Sequence, residues 1–232
     1  GLYGFRSVPG LWIEGCFPLA ERFDTVGCFT REGPDLDTLL SALAFPKEPA
    51  TPGGLLLLPP DFPGVDSFLE KLSGVTYDDA LARQFFENSL DRVKAFTILQ
   101  SRQAYAHHQP WLKKFGKQYD PKVLQRIEAG QHWSKEEVTW AERISEETTE
   151  QLNALLEKHG SILLPGAPSG APLPNELSDD FRKSTLALTV PASLAGLPVL
   201  SRPLLEDPVP VGVQVIVPGG QLPATASSGT SH

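Results

Sequence analysis

The sequence predicts an α/β chain, a mixed β-sheet layered by α-helices. Short apolar runs bounded by turn residues, Leu55 to Leu58 and the segment SILLP, are typical of strands that helices cover on both faces. Longer stretches with apolar residues at every third or fourth position alternate with these runs and predict helices. The 22 prolines and 20 glycines are spread along the chain, as expected for many short connections.

The first half is predicted to contain strands and loops followed by several helices. Residues 1–31 carry turn glycines among apolar positions and are predicted as loop and strand. Pro34 and Asp35 begin a helix through Leu43, because proline fits a first helical turn, where its missing N–H would have no helical partner. Further helices are predicted, in order, within 61–73 after a linker, over 77–115 with interruptions, and over 121–130.

The clearest predicted helix covers 134–160. Ser134 and Glu137 have the spacing of a capping box, in which each side chain satisfies the other residue's free backbone N–H. Gly160 is placed to end the helix, because glycine readily adopts a positive φ. The residues predicted to form its buried face are Val138, Ala141, Ile144, Thr148, Leu152 and Leu155.

The last third is predicted to add strands around one more helix. The strand SILLP leads into a Pro/Gly loop, and a helix follows over 181–195, interrupted near Pro191 and stopped by Gly196. Strands are predicted over 198–204 and 211–217. The small polar residues of 219–232 predict a disordered tail, because they cannot bury enough apolar surface to order themselves.

Charge and cysteine content exclude several function classes. A net charge of −8 argues against a nucleic-acid surface, and there is no polybasic membrane patch. No apolar run approaches the ~20 residues that a membrane span needs. Cys16 and Cys28 are predicted as thiols of a cytoplasmic protein, with a disulfide as the alternative. They lack a CxxC partner and a neighbouring His cluster, so no metal site is predicted.

Two glycine-containing runs near the start resemble the amidase signature family. The family run G-x-x-G-x-(R/K)-P-S-x-G is matched at Gly1, Gly4, Arg6 and Gly10. The run P-L-A-x-S-x-D-x-x-G is matched at Pro18, Leu19, Ala20, Asp24 and Gly27. Later segments resemble the family in order: LQSRQAYAHHQPWLKKFGKQYDPKVLQRIEAG, EKHGSILLPGAP, LTVPASLAGLPVLSRPL and PVGVQVIVPG. The similarity looks closest to small-amide hydrolases such as indole-acetamide hydrolase-like bacterial amidases.

This resemblance implies hydrolysis of a carboxamide to carboxylate and ammonia by a Ser–cis-Ser–Lys triad, without metal or cofactor. All three triad positions precede Gly1 in the family order. The chain is therefore expected to be a C-terminal portion that is inactive alone. Its expected partners are a small-molecule amide and the missing N-terminal half, or a chain supplying it, and a homodimer is one arrangement to test. The alternative is a non-catalytic remnant or binding module that retains the amide pocket.

The resemblance also assigns roles to residues of this chain. Residues 1–218 would form the C-terminal portion of the domain, with 76–160 covering the substrate pocket. Trp111 in that covering region and Arg126, where some family members contact substrate, are pocket candidates; core or surface roles are the alternatives. Leu186 stands where transamidosome members hold an Asp, which favours an uncharged or apolar amide. Arg6 and Asp24 are expected to support the active-site loop, as an ion pair or a backbone hydrogen-bond hub.

Overall fold

The computed structural model describes residues 2–45, 53–72, 74–173, 177–205 and 211–219. These residues form a seven-stranded sheet in the order β2-β1-β6-β7-β5-β3-β4. Strand β3 is parallel to β4 and β5, and the remaining neighbours are antiparallel. The mixed sheet confirms the predicted fold class. The strands are β1 Tyr3–Arg6, β2 Gly27–Thr30, β3 Leu55–Leu56, β4 Thr76–Tyr77, β5 Ile162–Pro165, β6 Val199–Leu205 and β7 Val211–Ile216.

Helices cover both faces of the sheet. On one face, α1 and α2 pack through Leu40 and Phe68 against strand residues such as Leu163. On the other face, α3, α6 and α7 pack against the alternate strand residues, such as Ile162 and Ile216. The helices are α1 Gly33–Ala42, α2 Val65–Lys71, α3 Asp79–Glu87, α4 Ser89–Phe115, α5 Pro121–Glu128, α6 Lys135–His159 and α7 Asp179–Leu194, with 3-10 turns at Gly116–Gln118 and Ala129–Gln131.

Helix α6 begins and ends as its sequence predicts. The Ser134 hydroxyl accepts the Glu137 N–H at 3.1 Å, and the Glu137 carboxylate accepts the Ser134 N–H at 3.0 Å, so the capping box is complete. Gly160 follows the helix with a φ of 80°. On the predicted buried face, Ala141 and Leu152 are fully buried. Local sequence alone therefore determines both ends of this helix.

Helix α7 differs from the prediction, because Pro191 does not interrupt it. The helix continues from Asp179 to Leu194 with Pro191 inside. The φ that proline imposes is compatible with a helix, and the cost lies in the lost N–H donor and the strained preceding turn. Gln214 of β7 holds the turn that precedes Pro191, since its side-chain amide donates to the carbonyl of Leu188 at 3.0 Å. Tertiary packing thus overrides the local signal.

Candidate functional site

A trough crosses the sheet on the face that α7 partly covers. Register places Gln214 of β7 beside Ser201 of β6, and Ser201 beside Gly4 of β1, so these three residues form one row. Thr189 and Ser193 of α7 line the same trough, which encloses about 220 Å³. Its lining combines small and polar residues with apolar surface such as that of Phe29 and Val199, whereas leucines and isoleucines fill the sheet on the β5 side. The trough is thus a recess between α7 and strands β1, β6 and β7.

Gly4 is required for the shape of this trough. A Cβ on Gly4 would lie 2.6 Å from the Ser201 hydroxyl oxygen and 3.0 Å from the Phe29 ring. Because real Cβ atoms do not approach other atoms so closely, any other residue here would displace the Ser201 hydroxyl and the Phe29 ring and would narrow the trough. Phe29, which pairs with Gly4 from β2, is 76% exposed. The described residues therefore leave the β2 end of the trough uncovered.

Arg6 supplies the positive charge of the trough. Its Nε donates to the Thr25 hydroxyl at 3.3 Å, and its Nη1 donates to the Leu197 carbonyl at 3.5 Å. Its Nη2 is buried and has no hydrogen-bond partner among the described residues. Burial lowers the pKa of Arg6. A buried donor without a partner costs free energy, so Nη2 marks a position where an acceptor would bind favourably.

Asp24 organises the turn that follows residue 18. Its carboxylate accepts the backbone N–H groups of Leu19 at 2.9 Å and of Ala20 at 3.0 Å. Asp24 and Arg6 therefore bond to different partners. The two arrangements expected for them were an ion pair and a backbone hydrogen-bond hub, and the hydrogen bonds of Asp24 are those of the hub. The turn lies directly before β2, which pairs with β1.

The three predicted pocket residues lie in different places. Leu186 is half-buried on α7, one turn before Thr189 of the trough, and packs in a cluster that includes Ala95 of α4. Trp111 is 48% exposed near the end of α4, with its ring 4.6 Å from that of Phe17. At 1.5 Å per residue, Trp111 is about 24 Å along α4 from Ala95. Arg126 is exposed on α5. Their roles in binding remain predictions.

A larger cavity, of about 550 Å³, lies at the carboxyl ends of β3 and β5. Carboxyl ends of parallel strands commonly form ligand crevices. Phe62 and Phe86 contribute apolar surface, while Arg83 and Glu87 contribute charge. The cavity faces the side of α7 opposite the trough, through Ser184, Ala187 and Leu188. No sequence motif predicted this cavity. Pro59 and Pro60, which follow Leu58 and line the cavity, indicated only that the apolar run ends there in a loop.

Metal, membrane and disulfide features are absent from the described ranges. There, no three His, Cys, Asp or Glu side chains come close enough together to hold a metal ion. None of the helices in those ranges combines the length and apolar character needed to cross a membrane. Cys16 and Cys28 are both free thiols rather than a disulfide.

Comparison with known proteins identifies the family. The family model described as Amidase matches residues 54–221, more than half of the chain. The chain therefore belongs to the amidase family, as its opening motifs predict. Amidase 1 of Arabidopsis thaliana is 24% identical over 264 aligned residues, which cover 95% of this chain and 62% of that protein. Amidase 1 of Oryza sativa subsp. japonica is 25% identical, with 95% and 60% covered.

A solved structure supports the same fold. A crystal structure of an amidase superposes with a TM-score of 0.77 at 25% identity, covering 95% of this chain and 55% of that one. The similarity thus extends over nearly all of this chain but over little more than half of the solved one. The chain likewise spans about 60% of the length of the Amidase 1 relatives.

Proposed function

We propose that this chain is the C-terminal portion of a serine amidase that cleaves a carboxamide to carboxylate and ammonia. The observation that carries the proposal is that Gly4 and Arg6, two matched residues of the family run that follows the nucleophile, form the strand that floors the trough. The nucleophilic Ser, the bridging Ser and the Lys would then lie outside residues 1–232. The chain alone would be inactive.

Strand direction supports this arrangement. Arg202 of β6 pairs with Val213 of β7, and Val213 pairs with Pro165 at the carboxyl end of β5. Because β1 is antiparallel to β6, its N-terminal end lies at this same edge of the sheet. A nucleophile loop that precedes β1 would therefore enter beside Gly166, which lines the trough. The unpaired Nη2 of Arg6 would donate to a carbonyl of the catalytic portion.

The chemistry would follow the family's serine mechanism. The Lys deprotonates the bridging Ser, which takes the proton of the nucleophilic Ser as it attacks the amide carbon. Backbone N–H groups stabilise the oxyanion, the amide nitrogen takes up the transferred proton and leaves as ammonia, and water hydrolyses the acyl-serine. The residues of this chain would bind and orient the amide. Leu186 in place of an acidic residue favours a neutral, apolar amide, as in small-amide hydrolases of the indole-acetamide type, with Trp111 and Arg126 as further contacts from the covering region 76–160.

The test compares the native protein that carries this chain with the 232-residue chain alone. Phenylacetamide, a neutral aromatic amide, is the probe, and ammonia release is measured. We expect turnover by the native protein and none by the chain alone, with activity restored when the catalytic portion is added. Turnover by the chain alone that disappears when one of its own residues is substituted would overturn the proposal. Binding of the amide without turnover in the native protein would instead support the binding-module alternative.

A further inference from the structure

Arg22 connects the turn after residue 18 to the helical layer. Its backbone N–H donates to the side-chain carbonyl of Gln103 on α4 at 3.1 Å. Its Nη1 forms an ion pair with the carboxylate of Glu142 on α6, and its Nη2 donates to the Ser145 hydroxyl at 2.9 Å. The family run P-L-A-x-S-x-D-x-x-G has a serine at this position, and serine is too short to make these side-chain contacts. The arrangement is therefore specific to the arginine.

Ser145 extends this connection to α7. It is 1% exposed, and its hydroxyl donates to the carbonyl of Leu194 at 3.2 Å. Leu194 is the last residue of α7, where carbonyl groups carry the negative end of the helix dipole. A hydroxyl donates one proton and accepts through its lone pairs, so Ser145 can serve both neighbours at once. The guanidinium thus reaches the end of α7 through one hydroxyl.

We propose that Arg22 is a positioning residue of the amide site, an inference that rests on the proposed function. The neighbour of Leu194, Ser193, lines the trough together with Thr189. Val190 and Leu194 pack in one cluster with Ala20 and Phe23, which flank Arg22 in its turn. Arg22 therefore fixes α7, one wall of the trough, relative to the segment between β1 and β2.

The guanidinium shape explains why arginine performs this task. Its planar fork presents separate N–H groups to Glu142 and to Ser145. Lysine carries the same charge on a single point and matches this two-partner geometry poorly. The expected loss is therefore graded, with Arg22→Ser largest and Arg22→Lys smaller. Ser145→Ala breaks the link to α7 while the ion pair with Glu142 remains.

The first measurement is steady-state hydrolysis of phenylacetamide by the native protein. We expect Arg22→Ser and Ser145→Ala to raise KM about fivefold with kcat little changed, because they loosen a binding wall rather than the reacting groups. Arg22→Lys gives a smaller rise. The control is Arg143→Ala. Arg143 follows Glu142 in α6, and this substitution removes its exposed ion pair with Glu147. A fall in kcat at unchanged KM, or equal effects of the control, would overturn the proposal.

The second measurement is amide hydrogen exchange in the 232-residue chain, which needs no catalysis. We expect faster exchange at Ala195 and Leu197, whose N–H groups bond to Pro191 and Ala192 at the end of α7, in Arg22→Ser and Ser145→Ala. Arg143→Ala leaves these rates unchanged. Absence of amide hydrolysis by the native wild-type protein would overturn the proposed function. Unchanged exchange in both variants would overturn the link from Arg22 to α7.

Discussion

The indole N–H of Trp133 donates to the hydroxyl of Ser101 at 2.8 Å, which ties the turn before α6 to the middle of α4. Ser101 is buried, and its hydroxyl in turn donates to the carbonyl of Thr97 at 2.6 Å. Gly130 contacts α4 at the same point, since a Cβ there would lie 2.0 Å from the Ser101 carbonyl oxygen. The two backbones approach this closely only because residue 130 has no side chain.

Gly130→Ala is therefore expected to destabilise the chain by about 3 kcal/mol, because the new methyl group collides with backbone that cannot rotate away. Urea unfolding measures the change. The matched control is Gly116→Ala, since Gly116 has a helical φ of −52° and a Cβ added there would meet no atom within 4 Å. The control should leave stability equal or slightly increased. Equal loss in both variants would contradict the contact.

Arg92→Ala is expected to cost about 3 kcal/mol of unfolding free energy, since buried acceptors lose their donors. Arg92 is 3% exposed and donates to the Phe85 carbonyl and the Gln151 side chain, each at 2.6 Å. Burial lowers the pKa of Arg92 to about 10. The cost of burying the charged guanidinium offsets part of the stability that its hydrogen bonds contribute. Thermal unfolding of Arg83→Ala, an exposed arginine paired with Asp79, provides the control and should show almost no shift.

His108 is expected to titrate below its ordinary pKa of 6.5, because burial and the neighbouring charge of His107 both disfavour its protonation. The folded chain then binds fewer protons than the unfolded chain just below pH 6.5, so stability rises with pH through that window and falls on acidification. NMR titration of the ring measures the pKa. His107→Gln should raise it only in part, because burial remains. A pKa at or above 6.5 in the unaltered chain would be inconsistent with this environment.

Leu186→Asp is expected to shift the substrate preference of the native protein towards amides that carry an amino group. The introduced carboxylate would pair with the ammonium of such a substrate, whereas Leu186 offers only apolar contact. The ratio of kcat/KM for glycinamide to that for propionamide should rise. Leu186→Asn, similar in shape to the aspartate but uncharged, is the control and should leave the ratio unchanged. An identical ratio in all three proteins would show that Leu186 does not contact the substrate.

Local features of the fold followed from the sequence, whereas long-range ones did not. The capping box of α6 involves Ser134 and Glu137 alone, so short-range chemistry determines it. The apolar run from Leu55 to Leu58 is fully buried as predicted, yet only Leu55 and Leu56 form strand β3. Burial follows from residue type, but strand length depends on which neighbours pair with it.

The candidate site shows the same division. The sequence predicted residues 1–31 only as loop and strand, and the structure places the motif residues Gly4 and Arg6 on β1, at the floor of the trough. That Ser201 and Gln214 lie beside Gly4 depends on strand register between segments far apart in the chain, which no local pattern encodes. The predicted tail, 219–232, lies almost entirely outside the described residues, and its disorder stays a prediction.

The position of β1 between β2 and β6 has a consequence for how the chain acquires its structure. Arg6 bonds to the carbonyl of Leu197, 191 residues later, and β1 pairs with β6. At about 5 to 20 residues per second, a ribosome needs about 10 to 40 s to synthesise that interval. Throughout it, β2 is the only sheet neighbour with which β1 can pair, although Phe5 can already pack against Phe45. Completion of this sheet therefore waits for β6, and interruption of synthesis before β6 leaves β1 and β2 unpaired with the other strands.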